Sequence, residues 1–231
     1  MPLRLKILYL PLRVFFALLY HQFAWTYDGV ASLVSLGRWQ TWVLAILPYL
    51  EGPNVLELGH GPGHLQAALG ANARHSGNRY QVIGVDRSPQ MGRIARKLLL
   101  QLGISPSLVN GYAQNLPFHD ALFSQVVATF PTQYIADLLT LAEVWRVLLP
   151  GGKLVVLPVA WITGTRRLER LFAWLSRFTG QSPDWSEAAL QPFVQAGFQV
   201  KAERLPCDAS EILVIQAFKP LHGERVETPG N

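Results

Sequence analysis

The sequence predicts an α/β fold in which a mostly parallel β-sheet carries helices on both faces. From residue 53 onward, apolar strand patterns alternate regularly with helical patterns, and strands joined by helices form right-handed βαβ units. The first strand pattern breaks into three glycines at every second position, Gly59, Gly61 and Gly63, which is typical of a tight turn before a helix. Half of the 231 residues are hydrophobic and only 15% are charged, so the chain can form a sizeable core.

The elements follow one another in strand and helix order. Strands are predicted near 54–58, 80–86, 106–111, 123–130 and 152–159, with helices near 63–74, 88–102 and 133–148. The end of the chain is predicted to form a helix near 185–195 and strands near 198–204 and 211–218. In such sheets ligands bind at the carboxyl ends of the strands, where Gly59, Asp86, Tyr112 and Thr129 fall.

The glycine turn lies within residues 54–65, which have the sequence NVLELGHGPGHL. Glycines let the backbone approach a ligand closely, and the first N–H groups of the following helix are free donors. A dinucleotide-binding fingerprint would need glycine where the chain has His64. A P-loop would need Gly-Lys followed by Ser or Thr, whereas Gly152 and Lys153 are followed by Leu154. Both of these phosphate-binding interpretations are therefore disfavoured.

The turn instead resembles motif I of the class I S-adenosylmethionine (SAM) methyltransferases, of the methyltransferase type 11 kind, which has the form ExGxGxG. Three further segments resemble that family in the same order: Asp86 at the end of the second strand, residues 111–118 (GYAQNLPF) and residues 143–154 (EVWRVLLPGGKL). Four ordered motifs over residues 54–156 make the resemblance specific. It implies a Rossmann-like, seven-stranded sheet with an antiparallel finish, and SAM as the cofactor.

The resemblance also implies where the cofactor would lie. Glu57 would lie near the methionine ammonium, Asp86 would accept hydrogen bonds from the ribose hydroxyls, and the Ala113 N–H would face the adenine edge. Arg87 would cover the adenine or turn to solvent. The predicted cofactor-binding residues are Tyr27, Glu57, Gly59, His60, Gly61, Gly63, Asp86, Arg87, Met91, Tyr112, Ala113 and Thr129. His60 and His64 flank the turn, but with one cysteine in the chain and no other metal-type ligands near them in sequence, no metal site is expected.

A diverged resemblance to the ubiquinone and menaquinone biosynthesis C-methyltransferases concerns the acceptor. The residues that match the spacing of that family's entry segment are Tyr27, Asp28, Ser35 and Trp42. Trp39, however, stands where that family has His or Gln, and Gln133 and Tyr134 stand where it has Arg and Asn. These departures weaken the inference that this chain shares that family's quinone substrate. The aromatic residues of the entry segment could equally serve only in packing.

Methyl transfer from a sulfonium is an in-line displacement, so alignment in a dry site can supply much of the rate. An acceptor that must lose a proton needs a base, for which Asp28, His119 and Tyr134 are the candidates. Three functions remain open. The chain could methylate a lipophilic small molecule (a quinone precursor or a lipid headgroup), it could methylate RNA or protein, or it could bind SAM without catalysis, since Tyr112 replaces the family's usual acid.

The chain is predicted to have three parts: a helical extension at 1–50, a methyltransferase domain at 51–220 with a helical insertion at 161–180, and a flexible tail at 221–231. Residues 1–25 are nearly all apolar, but Arg13 interrupts the run, which argues against a transmembrane helix. No cleavage site of a secretory signal is evident. An interfacial helix on a membrane and a hydrophobic lid over the domain both remain possible.

Positive charge is concentrated in two segments. Residues 1–44 and 161–180 each carry four basic and one acidic side chain, so the two segments together have a charge of +6. The net charge of the whole chain is +5, so the remaining residues sum to −1. Basic amphipathic helices with aromatic residues suit anionic lipid better than nucleic acid, although a solvated lid helix is the plainer alternative. We therefore expect a cytoplasmic protein that is peripheral at the inner face of the membrane, with no nucleic-acid partner. The single cysteine fits a reducing compartment, and the oligomeric state is left open.

Overall fold

The computed structural model describes residues 38–76, 80–163 and 187–221. The strands in these ranges are β1 (Asn54–Leu58), β2 (Gln81–Asp86), β3 (Leu108–Asn110), β4 (Phe123–Thr129), β5 (Leu148–Ile162), β6 (Gln199–Pro206) and β7 (Ser210–Phe218). The α-helices are α1 (Trp39–Leu44), α2 (His64–Ser76), α3 (Pro89–Gln101), α4 (Leu138–Val147) and α5 (Glu187–Gln195). Short 3-10 helices cover Leu47–Tyr49 and Gln133–Ala136.

All seven strands form one sheet with the order β3-β2-β1-β4-β5-β7-β6. Strands β1 to β5 pair in parallel, and β7 runs antiparallel to both β5 and β6. This confirms the predicted α/β fold with its Rossmann-like, mostly parallel sheet. Because the strand order reverses between β1 and β4, the crevice at their carboxyl ends is where such sheets bind ligands.

Helices cover both faces of the sheet because the central strands are apolar on both sides. On the α4/α5 side, the buried strand residues include Leu56, Leu58, Val126, Ala128, Leu154 and Val156. On the α1/α2 side, they are Val55, Val127, Val155, Leu157, Ile212 and Val214. Each set alternates along its strands, as the side-chain period of two requires.

The predicted boundary of the domain differs from the structure. Helix α1 lies inside the predicted extension, yet its residues Trp42 and Val43 are buried in the core of the α1/α2 side, together with Ile46 and Leu50. Helix α1 and the residues up to Leu50 are thus packed with the sheet. The rest of the predicted extension, residues 1–37, lies outside the described residues.

The structure also differs from the prediction at β5 and at the helix predicted for 133–148. Strand β5 continues to Ile162, so the first residues of the predicted 161–180 insertion are sheet, and residues 164–186 lie outside the described part. The predicted helix 133–148 is divided into a 3-10 turn and α4, because the Asp137 side chain caps α4 by accepting from Leu139 N. Of the predicted tail, only Leu221 is described.

Helix α3 carries exposed positive charge, although the residues outside the two basic segments have a net charge of only −1. Arg93, Arg96 and Lys97 are exposed on this helix, and no acidic residue occurs between Arg87 and His119. The net charge of −1 outside the two basic segments is therefore unevenly distributed. In the described ranges, no helix combines the length and apolarity that crossing a bilayer requires.

Candidate functional site

A cavity of about 920 Å³ lies at the carboxyl ends of β1, β2 and β4. Its lining residues are Leu58, Gly59, Gly61, Val85, Asp86, Arg87, Met91, Gly111, Tyr112, Ala113, Gln114, Asn115, Thr129, Phe130, Pro131, Thr132 and Tyr134. The site residues predicted from the sequence that line it are Gly59, Gly61, Asp86, Arg87, Met91, Tyr112, Ala113, Thr129 and Tyr134. The structure thus brings most of the predicted residues together around one space.

Asp86 stands at the end of β2 with its carboxylate held by backbone donors. Oδ2 accepts from Gly61 N at 3.0 Å, and Oδ1 accepts from Ser88 N at 2.8 Å. The residue is only 4% exposed. Each oxygen keeps acceptor capacity after these bonds, so the carboxylate can still receive two hydroxyl groups from the cavity.

Two glycines of the turn are required by packing as well as by backbone conformation. Gly59 has φ +70°, and a Cβ there would lie 2.7 Å from Tyr134 Oη. Gly63 has φ +89°, and a Cβ there would lie 3.0 Å from Ala95 Cβ in α3. Gly63 therefore lets α2 and α3 approach each other and lies outside the cavity lining, although it was predicted to bind cofactor.

Glu57 lies beneath the turn and not on the cavity wall. It is 1% exposed and accepts a hydrogen bond of 3.0 Å from Gln66 Nε2 in α2. Burial, assisted by the nearby Asp86 charge, raises the pKa of Glu57 to about 8 against the opposing effect of the Gln66 hydrogen bond. The carboxyl group therefore keeps its proton to a higher pH than an ordinary glutamate does.

The position of Glu57 follows from strand geometry. Neighbouring residues of a strand point to opposite faces, so Leu58 lines the cavity whereas Glu57 points toward α2. Its partner Gln66 was not predicted from the sequence, where the available signal is only a polar residue next to Leu65 in a helical pattern. In the structure Gln66 is 4% exposed, so its amide needs the hydrogen bond to Glu57.

His60 is also turned away from the cavity. Its ring lies against β2, where a Cβ on Gly84 would be 3.0 Å from His60 Cδ2. Its Nδ1 lies 2.7 Å from the Gly61 carbonyl oxygen, and burial lowers the pKa of the imidazole. The structure therefore gives His60 a role in shaping the turn, whereas it was predicted to contact the cofactor.

An arginine on α4 fixes the loop that was predicted to face the adenine. Arg146 donates to the carbonyl oxygens of Leu116 at 3.0 Å and Phe118 at 2.7 Å. It also pairs with Glu143, whose Oε2 accepts from Leu116 N at 2.7 Å. The Arg146 guanidinium lowers the pKa of Glu143, so the carboxylate stays ionised. Residues 111–118 are consequently anchored to α4.

Of the three predicted base candidates, the structure describes His119 and Tyr134. His119 follows the anchored loop, is exposed, and is not among the lining residues. Asp28, like the predicted cofactor residue Tyr27, lies outside the described residues. Tyr134 does line the cavity, but its hydroxyl donates to the Leu58 carbonyl oxygen at 3.1 Å. A phenol in this role positions the turn and is poorly placed to remove a proton.

Metal ligands do not gather in the described ranges. No group of three or more His, Cys, Asp or Glu side chains comes together there as a metal ion would need. The arrangement around the cavity instead suits an organic ligand, with a carboxylate for hydroxyl groups at one end and apolar walls at the other.

Comparison with known proteins identifies relatives of this chain. A model of the ubiE/COQ5 methyltransferase family matches residues 15–179. The ubiquinone/menaquinone biosynthesis C-methyltransferase UbiE of Legionella pneumophila (strain Corby) is 34% identical over 144 residues, covering 60% of this chain and 56% of the relative. The demethylmenaquinone methyltransferase of Symbiobacterium thermophilum is 31% identical over 148 residues, covering 60% and 57%. The chain thus matches a little over half the length of these curated relatives.

Solved structures share the fold. A SAM-dependent methyltransferase from Aquifex aeolicus aligns with a TM-score of 0.58 at 18% identity, covering 83% of this chain and 97% of that one. A putative methyltransferase in complex with the Haloferax volcanii Trm112 methyltransferase activator aligns with a TM-score of 0.56 at 24% identity, covering 87% of this chain and 98% of that one. At these identities the likeness concerns the fold alone.

Proposed function

Because this chain belongs to the ubiE/COQ5 methyltransferase family, we propose that it transfers the sulfonium methyl group of SAM to a lipophilic small molecule, a quinone precursor. The observation that carries the proposal is the cavity at the β1–β4 switch point, which joins the glycine turn and Asp86 to an apolar end. The curated relatives are named for ubiquinone, menaquinone and demethylmenaquinone chemistry, which supports this acceptor class.

The cofactor would occupy the β1–β2 side of the cavity. Asp86 would accept from its ribose hydroxyls, the Gly59–Gly61 backbone would follow its methionine part, and the anchored loop would cover its adenine with Ala113. Glu57 would act on the methionine ammonium from beneath the turn, through its charge and not by direct contact. A cation above it would favour the ionised carboxylate.

The acceptor would occupy the β4 side of the same cavity. The lining residues on this side are Thr129, Phe130, Pro131, Thr132 and Tyr134, which carry no charge at neutral pH. A volume of about 920 Å³ is near the upper end of the roughly 300–1,000 Å³ range of ligand pockets, which suits a site for two ligands.

In the proposed reaction, an electron pair of the acceptor attacks the methyl carbon while the carbon–sulfur bond breaks. Sulfur keeps the bonding pair and becomes a neutral thioether, and the acceptor loses a proton. The positive charge would pass from sulfur to the acceptor and leave with the proton that the acceptor loses, and a dry surrounding would favour this dispersal of charge. The site thereby contributes alignment and exclusion of water.

The proton acceptor is proposed to come from the segment before α1. Among the described lining residues, the ionisable side chains are Asp86, Arg87, Tyr112 and Tyr134. Asp86 is held by two backbone N–H groups, and Tyr134 donates its hydroxyl to Leu58. Asp28 therefore stays the preferred candidate base, and we expect Asp28→Asn to reduce turnover while SAM affinity is kept.

The acceptor can be identified with SAM carrying an isotope-labelled methyl group. The protein would be incubated with membrane lipid extract under reducing conditions, and the products would be compared by mass spectrometry with those of the Asp86→Ala variant. Label in the quinone fraction supports the proposal. Label in the amine headgroups of phospholipids would show that the acceptor is a lipid headgroup and not a quinone precursor. SAM binding without any labelled product would indicate a non-catalytic SAM-binding protein.

We further propose that the protein works at an anionic membrane surface. The two segments that together carry +6 and the exposed cations Arg93, Arg96 and Lys97 on α3 support this. Each basic residue near such a surface contributes about 1 kcal/mol, and salt weakens the attraction. Flotation with anionic and neutral liposomes, at low and high salt, tests it for the intact chain and for one without residues 1–25. An intact protein that stays unbound on anionic liposomes at low salt would exclude the idea.

A further inference from the structure

Phe130 has an unusual backbone conformation at the edge of the cavity. Its φ is +47°, in the left-handed region that bulky side chains rarely adopt. The described non-glycine residues with positive φ are Ala121, Phe130 and Asp208, and of these Phe130 lines the cavity. Its N–H donates to the Leu157 carbonyl oxygen at 2.6 Å, which anchors the turn to β5. Strained conformations of this kind persist where the surroundings hold them, and they cluster at functional sites.

The ring of Phe130 is held from behind by helix α1. Its centroid lies 4.2 Å from that of Trp39, with an angle of 31° between the planes, and 6.0 Å from that of Trp42. Trp42 is 5% exposed and belongs to the core of the α1/α2 side. The ring is thus supported by the packed core, and Phe130 is at the same time one of the residues that line the cavity.

Phe130 and the ribose-binding end lie far apart within the cavity. Asp86 ends β2 and Phe130 follows β4, with β1 between them in the sheet. Since neighbouring strands are about 4.8 Å apart, the two positions are separated by about 10 Å. The charged lining residues of the described part, Asp86 and Arg87, both belong to the β2 end. Among the described lining residues, those at the β4 end therefore include no ionic partner for a phosphate or ammonium group.

Resting on the function proposed above, we infer that Phe130 is the specificity-determining wall of the acceptor subsite and that Trp39 positions it. A flat, uncharged ring gains stacking and apolar contact on Phe130, whereas a charged headgroup would lose water without gaining a counter-charge. Trp39 acts through Phe130, since it stacks on that ring and is not itself a lining residue. The acceptor would thus be selected by the ring it presents.

The test measures binding to protein saturated with S-adenosylhomocysteine, the product of the proposed reaction. 1-Naphthol serves as the ring probe and phosphoethanolamine as the headgroup probe, both by calorimetry. We expect 1-naphthol to bind and phosphoethanolamine to bind more weakly. Phe130→Leu should weaken 1-naphthol binding roughly three- to tenfold, because aromatic pairs contribute about 0.5–1.5 kcal/mol beyond their area. Phe130→Tyr keeps an aromatic ring and should bind 1-naphthol as tightly as the unchanged protein.

Variants at two tryptophans separate positioning from general stability. Trp39→Leu, like Phe130→Leu, should bind 1-naphthol more weakly than the unchanged protein. Trp39→Phe keeps an aromatic ring and should have an affinity between those of Trp39→Leu and the unchanged protein. Trp145→Leu is the matched control, because Trp145 packs against Phe198 at 5.0 Å and lies outside the cavity lining. It should lower thermal stability while 1-naphthol affinity stays unchanged.

Two results would overturn the inference: 1-naphthol affinity that is equal in Phe130→Leu and the unchanged protein, or tighter binding of phosphoethanolamine than of 1-naphthol. If S-adenosylhomocysteine itself does not bind, the proposed function fails. In that case, 1-naphthol binding to the free protein, with and without Phe130→Leu, decides the inference on its own by the same comparison.

Discussion

Replacement of Glu57 by Gln should make the protein less sensitive to rising pH. The pKa of Glu57 lies at about 8 in the fold against an ordinary 4.5, so folding favours the protonated form. This carboxyl group therefore destabilises the fold increasingly as pH rises from about 4.5 to about 8, where the folded protein also loses the proton. At about 1.4 kcal/mol per pH unit, the full effect is about 5 kcal/mol, of which about 3 kcal/mol falls between pH 5.5 and pH 8.5.

Glu57→Gln keeps the shape of the side chain and an oxygen that can accept from Gln66 Nε2, but it does not titrate. Urea unfolding at a series of pH values would therefore give the free energy of unfolding of both proteins. The difference between the variant and the unchanged protein should rise by about 3 kcal/mol, in favour of the variant, between pH 5.5 and pH 8.5. Glu143→Gln is the control. The pKa of Glu143 is lowered by Arg146, so its stabilising charge is lost only as pH falls below the ordinary range. A constant difference between Glu57→Gln and the unchanged protein over this interval would refute the reasoning.

Four further outcomes follow from the site. Asp86→Ala should weaken SAM affinity at least tenfold in calorimetry, because a charged acceptor contributes about 1.5–3 kcal/mol. Gly63→Ala should cost about 1–3 kcal/mol of unfolding free energy, since its Cβ would lie 3.0 Å from that of Ala95. Arg146→Met should cost about 2 kcal/mol and increase hydrogen exchange in residues 111–118, because it frees their loop. In urea unfolding, Phe130→Gly should have a free energy of unfolding about 1 kcal/mol higher than that of Phe130→Ala. The reason is that alanine has a Cβ, which is strained at φ +47°, whereas glycine has none.

The elements that position the cofactor half could be predicted because local patterns determine them. The start of α3 illustrates this, since Ser88 caps the helix by accepting from Met91 N and Pro89 occupies its first turn. Asp86 was found in the same way, from a strand pattern that ends in an acid. Signals of this kind lie within a few residues of one another, so they need no knowledge of distant contacts.

The orientation of single side chains around the turn could not be predicted from local patterns. Glu57 and His60 belong to the recognised motif, but contacts with α2 and β2 direct both away from the cavity. His119 follows the adenine-side loop in sequence, yet the hydrogen bonds of Arg146 determine the path of that loop. In each case the deciding partner is nine or more residues away, beyond what a spacing rule can show.

The acceptor half depends on contacts over a still longer range. Phe130 receives its support from Trp39, about ninety residues earlier in the chain, and the backbone bond that fixes its left-handed turn comes from Leu157 in β5. From sequence alone, the aromatic residues of the entry segment were as consistent with simple packing as with substrate binding. Phe130 packs against the core of the α1/α2 side and also lines the cavity, so its packing does not exclude the proposed role in acceptor binding. On that proposal, a substitution in α1 is expected to change which acceptor binds without touching the acceptor.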